Sequence, residues 1–313
     1  MTVFTATLSQ TAFLFSFIAT GYLLSRCKLV PDNAQAVLSK LENYLFIPTL
    51  VLGTFMGNFT AEKLESAWQL LLGSLVLGLI AIGVSLVLVK FCSKDAYERK
   101  IYTYGLCFSN FGFMGNAVVS ALFPDVFLEY LIFTLPLWSL IYLWGVPILL
   151  MDSSSKPGLA ARLKSFVNPM FICTIAGMCL GLLNVPIPAF LQQAVDTAGS
   201  CMSPIAMLLT GMTIAQFNLK EVLSIKGVYL VTGLRLLVLP LLFLGAMLVL
   251  PLPGTFAICA VCSLAMPLGL NTIIIPSALG KDTRVASGMA LVSHILSCLT
   301  IPLILMLFQQ IVG

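Results

Sequence analysis

Ten residues in the first half of the chain constrain its fold most: Cys107-Phe108-Ser109-Asn110-Phe111-Gly112-Phe113-Met114-Gly115-Asn116. Apolar sequence flanks them on both sides, yet they carry two glycines and two asparagines. Glycine weakens a helix by about 1 kcal/mol relative to alanine, and asparagine brings polar groups that hydrocarbon cannot satisfy. Backbone that leaves the helix at membrane depth persists only where protein or a watery cavity covers it. A second stretch, Ser263-Leu264-Ala265-Met266-Pro267-Leu268-Gly269-Leu270-Asn271, has the same character. Paired interruptions in corresponding places of two halves point to a ligand site between them.

The membrane setting follows from composition. Of 313 residues, 59% are hydrophobic and 9% charged, against about 25% charged in a soluble domain. A soluble core cannot hide that much apolar surface, and the apolar runs are too long for barrel strands of about 10 residues. The chain therefore reads as an all-α polytopic membrane protein. Met1 to Gln10 holds no Lys or Arg, so the first segment is expected to be retained rather than cleaved as a signal peptide. The net charge of +4 is not gathered on one face, which argues against a nucleic-acid partner. Nine cysteines, odd in number and irregular in spacing, lie in or beside apolar runs. Cys259 and Cys262 form a CxxC without a second pair or a nearby His. The set reads as small packing residues, and no disulfide, metal or cofactor is expected.

Ten spans of helical length are predicted, at 6–25, 35–56, 67–91, 100–123, 127–150, 167–184, 189–215, 227–250, 254–279 and 286–311. Fourteen of the sixteen Lys and Arg fall in the loops that follow odd-numbered spans. Lys63 alone lies in the alternate loops, and Arg235 alone lies within a span rather than in or at the edge of a loop. The basic loops are expected to be cytoplasmic and both termini outside. The longest hydrophilic connection, starting at Asp152-Ser153-Ser154-Ser155-Lys156-Pro157-Gly158, divides the chain into five spans plus five. We read 1–151 as a first repeat, 152–166 as a connecting loop and 167–313 as a second repeat. An odd number of spans per half inverts the second half relative to the first. Pro48 and Asn116 are 68 residues apart, Pro204 and Asn271 67 apart, which agrees with an inverted repeat.

The Pro-broken second span (Asn43-Tyr44-Leu45-Phe46-Ile47-Pro48-Thr49-Leu50), the Pro-broken seventh span (Ala198 to Gly211, containing Pro204) and the interrupted fourth and ninth spans resemble the auxin efflux carrier family. More closely, the chain looks like its short bacterial members, often described as malate or malonate permeases, and lacks the long central loop of the plant carriers. The resemblance covers nearly the whole chain. It implies two five-helix repeats, a scaffold of spans one, two, six and seven, and a mobile core of spans three to five and eight to ten. It further implies crossing broken helices near the midplane, elevator-like movement, a homodimer and a place in the cell (plasma or inner) membrane.

Chemistry at the crossing can be argued from the residues. A helix N-terminus presents unpaired N–H groups and about half a positive charge. Two such ends meeting in a low dielectric make an anion site. An asparagine caps a half-helix with its oxygen and donates to a carboxylate with its nitrogen, without a fixed charge. Asn110, Asn116 and Asn271 are the leading candidates; the alternative is that they only satisfy backbone freed by the breaks. Gly112, Gly115, Pro267 and Gly269 shape the breaks. Pro48 and Pro204 each remove a donor and free a carbonyl one turn earlier, kinking helices beside the site. Asn43 and Tyr44, one turn before Pro48, could face the cavity or the helix interior.

Arg235 is a functional suspect because charges within spans are rare. It would attract an anion or stand in for a coupling cation. Yet it lies about eight residues, or about 12 Å, from the end of its span, close enough to snorkel. Glu42, at similar depth, could pair with it. Asp196 and His294, the only histidine, could carry a coupled proton; packing is the alternative for each. Gly177 and Gly181 form a GxxxG that permits close helix approach, with a dimer seam as one use.

Function classes narrow accordingly. The leading expectation is a secondary transporter of small organic anions, mono- or dicarboxylates. No GxxxxGK[ST] phosphate loop is present, so transport would run on gradients or membrane potential. The alternatives are a sodium- or proton-coupled symporter of related fold and a non-transporting membrane sensor. No acidic residue accompanies either break, which counts against sodium. An intramembrane enzyme lacks its usual signs: no paired midmembrane Asp, HExxH or Ser–His arrangement stands out.

Overall fold

Each apolar run described above is helical in the computed structural model, which describes residues 3–31, 33–151, 158–216 and 223–312, and their side chains except at 3, 4, 6, 7, 277 and 278. Most of the mid-chain hydrophilic connection, with Lys156, and also Lys220, lie outside the described residues. Among the described residues the one β pairing is an isolated antiparallel bridge, Ser109 with Leu268.

Helix α1 spans Val3–Arg26. Helix α2 covers 34–58, with a wide π turn at Glu42–Phe46 just before Pro48. Proline leaves a carbonyl one turn back without its donor, and a widened turn accommodates that loss. Helix α3, Ala61–Cys92, is capped by Thr60, whose hydroxyl accepts from the Lys63 amide. It begins six residues before the predicted span because Ala61-Glu62-Lys63 favours helix outside the apolar region as well. Helix α4, Ala96–Cys107, is capped by Asp95. Helix α5, Phe111–Leu122, and α6, Pro124–Leu150, follow.

A short helical piece, Leu159–Lys164, precedes α7, Pro169–Leu182, which Asn168 caps. Helix α8 covers Ala189–Ala215 and is interrupted at Cys201, three residues before Pro204. Helix α9, Lys226–Met247, widens over Leu234–Val238 ahead of Pro240. Helices α10, Gly254–Ala265, and α11, Asn271–Ala278, are the halves of the broken ninth span. Helix α12, Arg284–Val312, closes the chain.

By length and composition six of these helices can cross a bilayer: the part of α1 from Leu8, then α3, α6, α8, α9 and α12. Helices α5, α7 and α10 are shorter and apolar. The chain is a multi-pass membrane protein.

Packing sorts the helices into two groups. Helix α1 lies along α8, and α2 lies against α7 and α8. Helices α3 to α6 and α9 to α12 pack mainly on one another. Contacts of α1 with α5 and α12, and of α8 with α5, join the groups. The GxxxG of α7 lies inside the first group. A methyl added at Gly177 would come within 2.8 Å of Phe55 Cβ and 3.0 Å of Leu52 O; one at Gly181 would come within 2.7 Å of Phe55 O. These glycines seat α7 on α2 of the same chain, so a dimer seam is not their use here.

Candidate functional site

The two breaks meet. Helix α4 ends at Cys107 and α10 at Ala265, and the chain then runs extended through Phe108 and Met266. Each extended piece supplies the other's missing partners. Asn110 N donates to Pro267 O at 2.7 Å, and Gly269 N donates to Phe108 O at 3.3 Å. Ser109 Oγ donates to Ser263 O at 2.7 Å, and Leu268 N donates to Ser293 Oγ at 3.3 Å. Backbone that leaves the helix is thus hydrogen-bonded within the protein, as a bilayer requires.

The C-terminal ends of α4 and α10 are closed by one side chain. Arg235, 1% exposed, donates from Nη1 to Leu106 O at 3.0 Å, from Nη2 to Ser263 O at 3.1 Å and from Nε to Met266 O at 3.4 Å. Helix C-termini carry partial negative charge and orphan carbonyls, and the planar guanidinium fork serves several at once. Arg235 therefore turns inward and does not snorkel. Its pairing with Glu42 is not formed. Glu42 is wholly buried in the wide turn of α2, and neither of its carboxylate oxygens has a hydrogen-bond partner among the described residues.

The N-terminal ends of α5 and α11 border a small cavity of about 20 Å³, room for roughly one water. Ser109 to Phe113 on one side and Gly269 to Asn271 on the other line it, with Tyr104, Trp138 and Ile141 completing the wall. Asn110, the residue before α5, is 2% exposed. Its Nδ2 lies 3.1 Å from His294 Nε2, and its carbonyl accepts from Gly115 N at 3.0 Å. Asn271, the first residue of α11, donates from Nδ2 to Tyr104 Oη at 3.1 Å. Asn116 is buried five residues inside α5, away from the cavity wall, and its Oδ1 has no hydrogen-bond partner among the described residues.

The glycines at the break make room for aromatic side chains. A methyl on Gly112 would run into the Trp138 ring, and one on Gly115 into the Tyr130 hydroxyl. That hydroxyl donates to Phe111 O at 3.1 Å, satisfying a carbonyl of the widened first turn. Phe111 and Trp138 meet edge-on with ring centroids 5.0 Å apart. Gly269 lies against the other break, where an added methyl would sit 3.1 Å from Phe108 O. Pro267 is buried and accepts from Asn110.

Five candidates lie elsewhere. Asn43 is exposed and bonds back to Ser39 O of its own helix at 2.7 Å, and Tyr44 is 71% exposed. Asp196 is exposed on α8 and accepts twice from Gln192. Pro204 is half-buried beyond the interruption in α8. Pro48 is buried behind the wide turn of α2.

Tyr104, Trp138, Tyr130, Ser263 and Ser293 join the site without having been singled out by sequence. None carries a local signal; Tyr104 lies one turn before the first break and the rest lie on α6, α10 and α12. One signal was available for Arg235. It and Glu42 each lie in a wide turn five or six residues ahead of a proline, Pro240 and Pro48.

A family model described as a membrane transport protein matches residues 6–161 and 158–305. A protein of Rhizobium meliloti (strain 1021) that carries the name "Putative malonate transporter" is similar at 22% identity over 305 residues, which cover 95% of this chain and 94% of that protein.

Proposed function

Because the chain belongs to the membrane transport protein family, with the likeness to auxin efflux carriers read above, we propose that it carries small organic anions, mono- or dicarboxylates, across the cell membrane by secondary transport. The observation that carries this reading is the convergence of the α5 and α11 N-termini, with Asn110 and Asn271, on one buried cavity. Those ends offer N–H donors and positive partial charge where no side-chain charge is present to trap a carboxylate. The malonate named for the similar protein is a small dicarboxylate of the kind such a site fits.

In this reading ten spans form two inverted five-helix repeats, with both termini outside. Helices α1, α2, α7 and α8 are the scaffold, and α3 to α6 with α9 to α12 are the core that slides against it. Two copies form the dimer. A cavity of about 20 Å³ is too small for a carboxylate, so in this reading the site must widen to take one. The site opens as the α6 wall of Trp138 and Ile141 separates from the breaks.

Arg235 bears on coupling. It occupies the carbonyls of Leu106, Ser263 and Met266, which a sodium ion at the crossing would otherwise use as oxygen ligands. Transport independent of sodium is the consequence.

The test is uptake of labelled malonate, succinate and acetate into proteoliposomes, with and without sodium. Saturable flux of at least one, unchanged by sodium, is expected. Well-folded protein that moves none of them would refute the carboxylate reading, and a sodium requirement would refute the role given to Arg235.

A further inference from the structure

We propose that His294 is a proton site coupled to the carboxylate site through the side-chain amide of Asn110, so that a proton is taken up with each carboxylate bound. The proposal rests on the carboxylate reading above and adds the coupling ion to it.

Geometry fixes the protonation pattern. His294 is wholly buried in α12, and its Nδ1 lies 2.7 Å from Ala290 O. A carbonyl only accepts, so Nδ1 carries the hydrogen. In the neutral ring Nε2 is then a bare acceptor, and the group 3.1 Å away must donate to it: Asn110 Nδ2. The amide orientation follows from the ring and is not a free choice. Asn110 also lines the cavity between the two helix N-termini. One Nδ2 hydrogen is committed to His294, and the Oδ1 end of the amide is an acceptor, which repels a carboxylate.

A proton added at Nε2 reverses this. The imidazolium donates at both nitrogens, and its new N–H needs an acceptor. A half-turn of the Asn110 amide supplies Oδ1 to Nε2 and puts Nδ2 in the place that Oδ1 held. The site then presents N–H groups to a carboxylate from Asn110 as well as from the two helix ends. No bond other than N–H forms; the proton comes from bulk water.

Charge balance ties the proton to the anion. Among the described parts of the helices packed on α12, the buried charge is Arg235, joined to the site through Ser263 O, which also accepts from Ser109 beside Asn110. The other buried ionisable groups on those helices are the phenols of Tyr102 and Tyr104 and the thiols of Cys259 and Cys262. Glu98, Arg99, Lys100, Arg26, Lys226 and Arg284 stand at helix ends, and Tyr22, Tyr97, Tyr229, Cys107 and Cys298 are partly or largely exposed. Asp196 on α8 is exposed, so among the described residues no carboxylate on these helices offsets an imidazolium here, and two buried cations without an anion are costly. An incoming carboxylate supplies the missing charge.

The test uses full-length protein with a tag free of histidine, so that a ¹⁵N-histidine label reports His294 alone. At about pH 7, free protein is expected to show the neutral ring protonated at Nδ1, and saturating malonate to convert it to imidazolium. Calorimetry in buffers of different ionisation enthalpy is expected to give uptake of about one proton per carboxylate held at the site. His294→Gln should still bind malonate, because a glutamine amide donates to Asn110 Oδ1 without a proton, and its uptake should fall to zero. A free ring protonated at Nε2, malonate bound beside a neutral ring, or unchanged uptake in His294→Gln each overturns the proposal while leaving the carboxylate reading intact. Failure of the wild type to bind malonate, succinate or acetate overturns both.

Discussion

The Arg235 guanidinium and the Leu106 carbonyl, 129 positions apart in the chain, are joined by a 3.0 Å hydrogen bond. The same guanidinium reaches Ser263 O on the other broken helix. One side chain thus ties two helix C-termini from different halves of the sequence, at the end of the crossing opposite the cavity. Positive charge is fixed at the carbonyl ends, and in the proposed function the N–H ends are left for a guest.

Arg235→Ala should leave the Leu106 and Met266 carbonyls buried with no donor, while Ser263 O keeps the Ser109 hydroxyl. An unsatisfied buried polar group costs about 1–3 kcal/mol, so a loss of at least about 2 kcal/mol is expected from the two, read as a large drop in thermal midpoint in detergent. Arg235→Lys should recover only part of it, since an ammonium on a flexible stem cannot serve three carbonyls in a plane. Sodium should raise the midpoint of the Ala variant and not that of the wild type. Equal midpoints for wild type and Arg235→Ala would count against the tie.

Asn271→Ala should weaken carboxylate binding by about tenfold, the equivalent of about 1.4 kcal/mol, because it removes a donor at the α11 N-terminus and leaves Tyr104 Oη without its partner. Asn271→Asp should abolish binding by placing a negative charge against the guest. Thermal-shift titration with malonate measures both; unchanged affinity in both variants would remove Asn271 from the site.

Gly112→Ala should destabilise by about 1–3 kcal/mol, as overpacking does, because the added methyl meets the Trp138 ring. Trp138→Phe shortens that ring, so the double variant Gly112→Ala with Trp138→Phe should be more stable than the sum of the single changes implies. A double-mutant cycle on thermal midpoints checks this, and additive losses would show that the two residues do not touch.

Glu42→Gln should keep or raise thermal stability. Its carboxylate is out of water without a partner among the described residues, and a neutral amide of the same shape is less costly to bury than a charge. A marked fall in midpoint would reveal a polar partner for Glu42.

Much of this fold could be read in advance because its signals are local. Runs of apolar residues of helical length mark the helices, and Gly, Asn and Pro within a run mark where a helix cannot continue. Hence the breaks after Cys107 and Ala265, the kinks before Pro48 and at Pro204, and the choice of Asn110 and Asn271 all came from residues within a turn or two of each other. The Pro48–Asn116 and Pro204–Asn271 spacing was less informative than it looked. Asn271 is the first residue of α11, whereas Asn116 lies five residues inside α5, so Asn110 is the residue at the matching end.

Sequence by itself therefore determined that this chain lies in a membrane, where its helices run and where two of them break. Only the tertiary structure decided what meets at the breaks: Ser109 with Leu268, Arg235 with the carbonyls of Leu106, Ser263 and Met266, and His294 with Asn110. The physical reason is range. A helix break is a property of a few neighbouring residues. The hydrogen-bond partner of a freed backbone group, or of a buried arginine or histidine, is whichever group packing brings within about 3 Å, and periodicity carries no record of that.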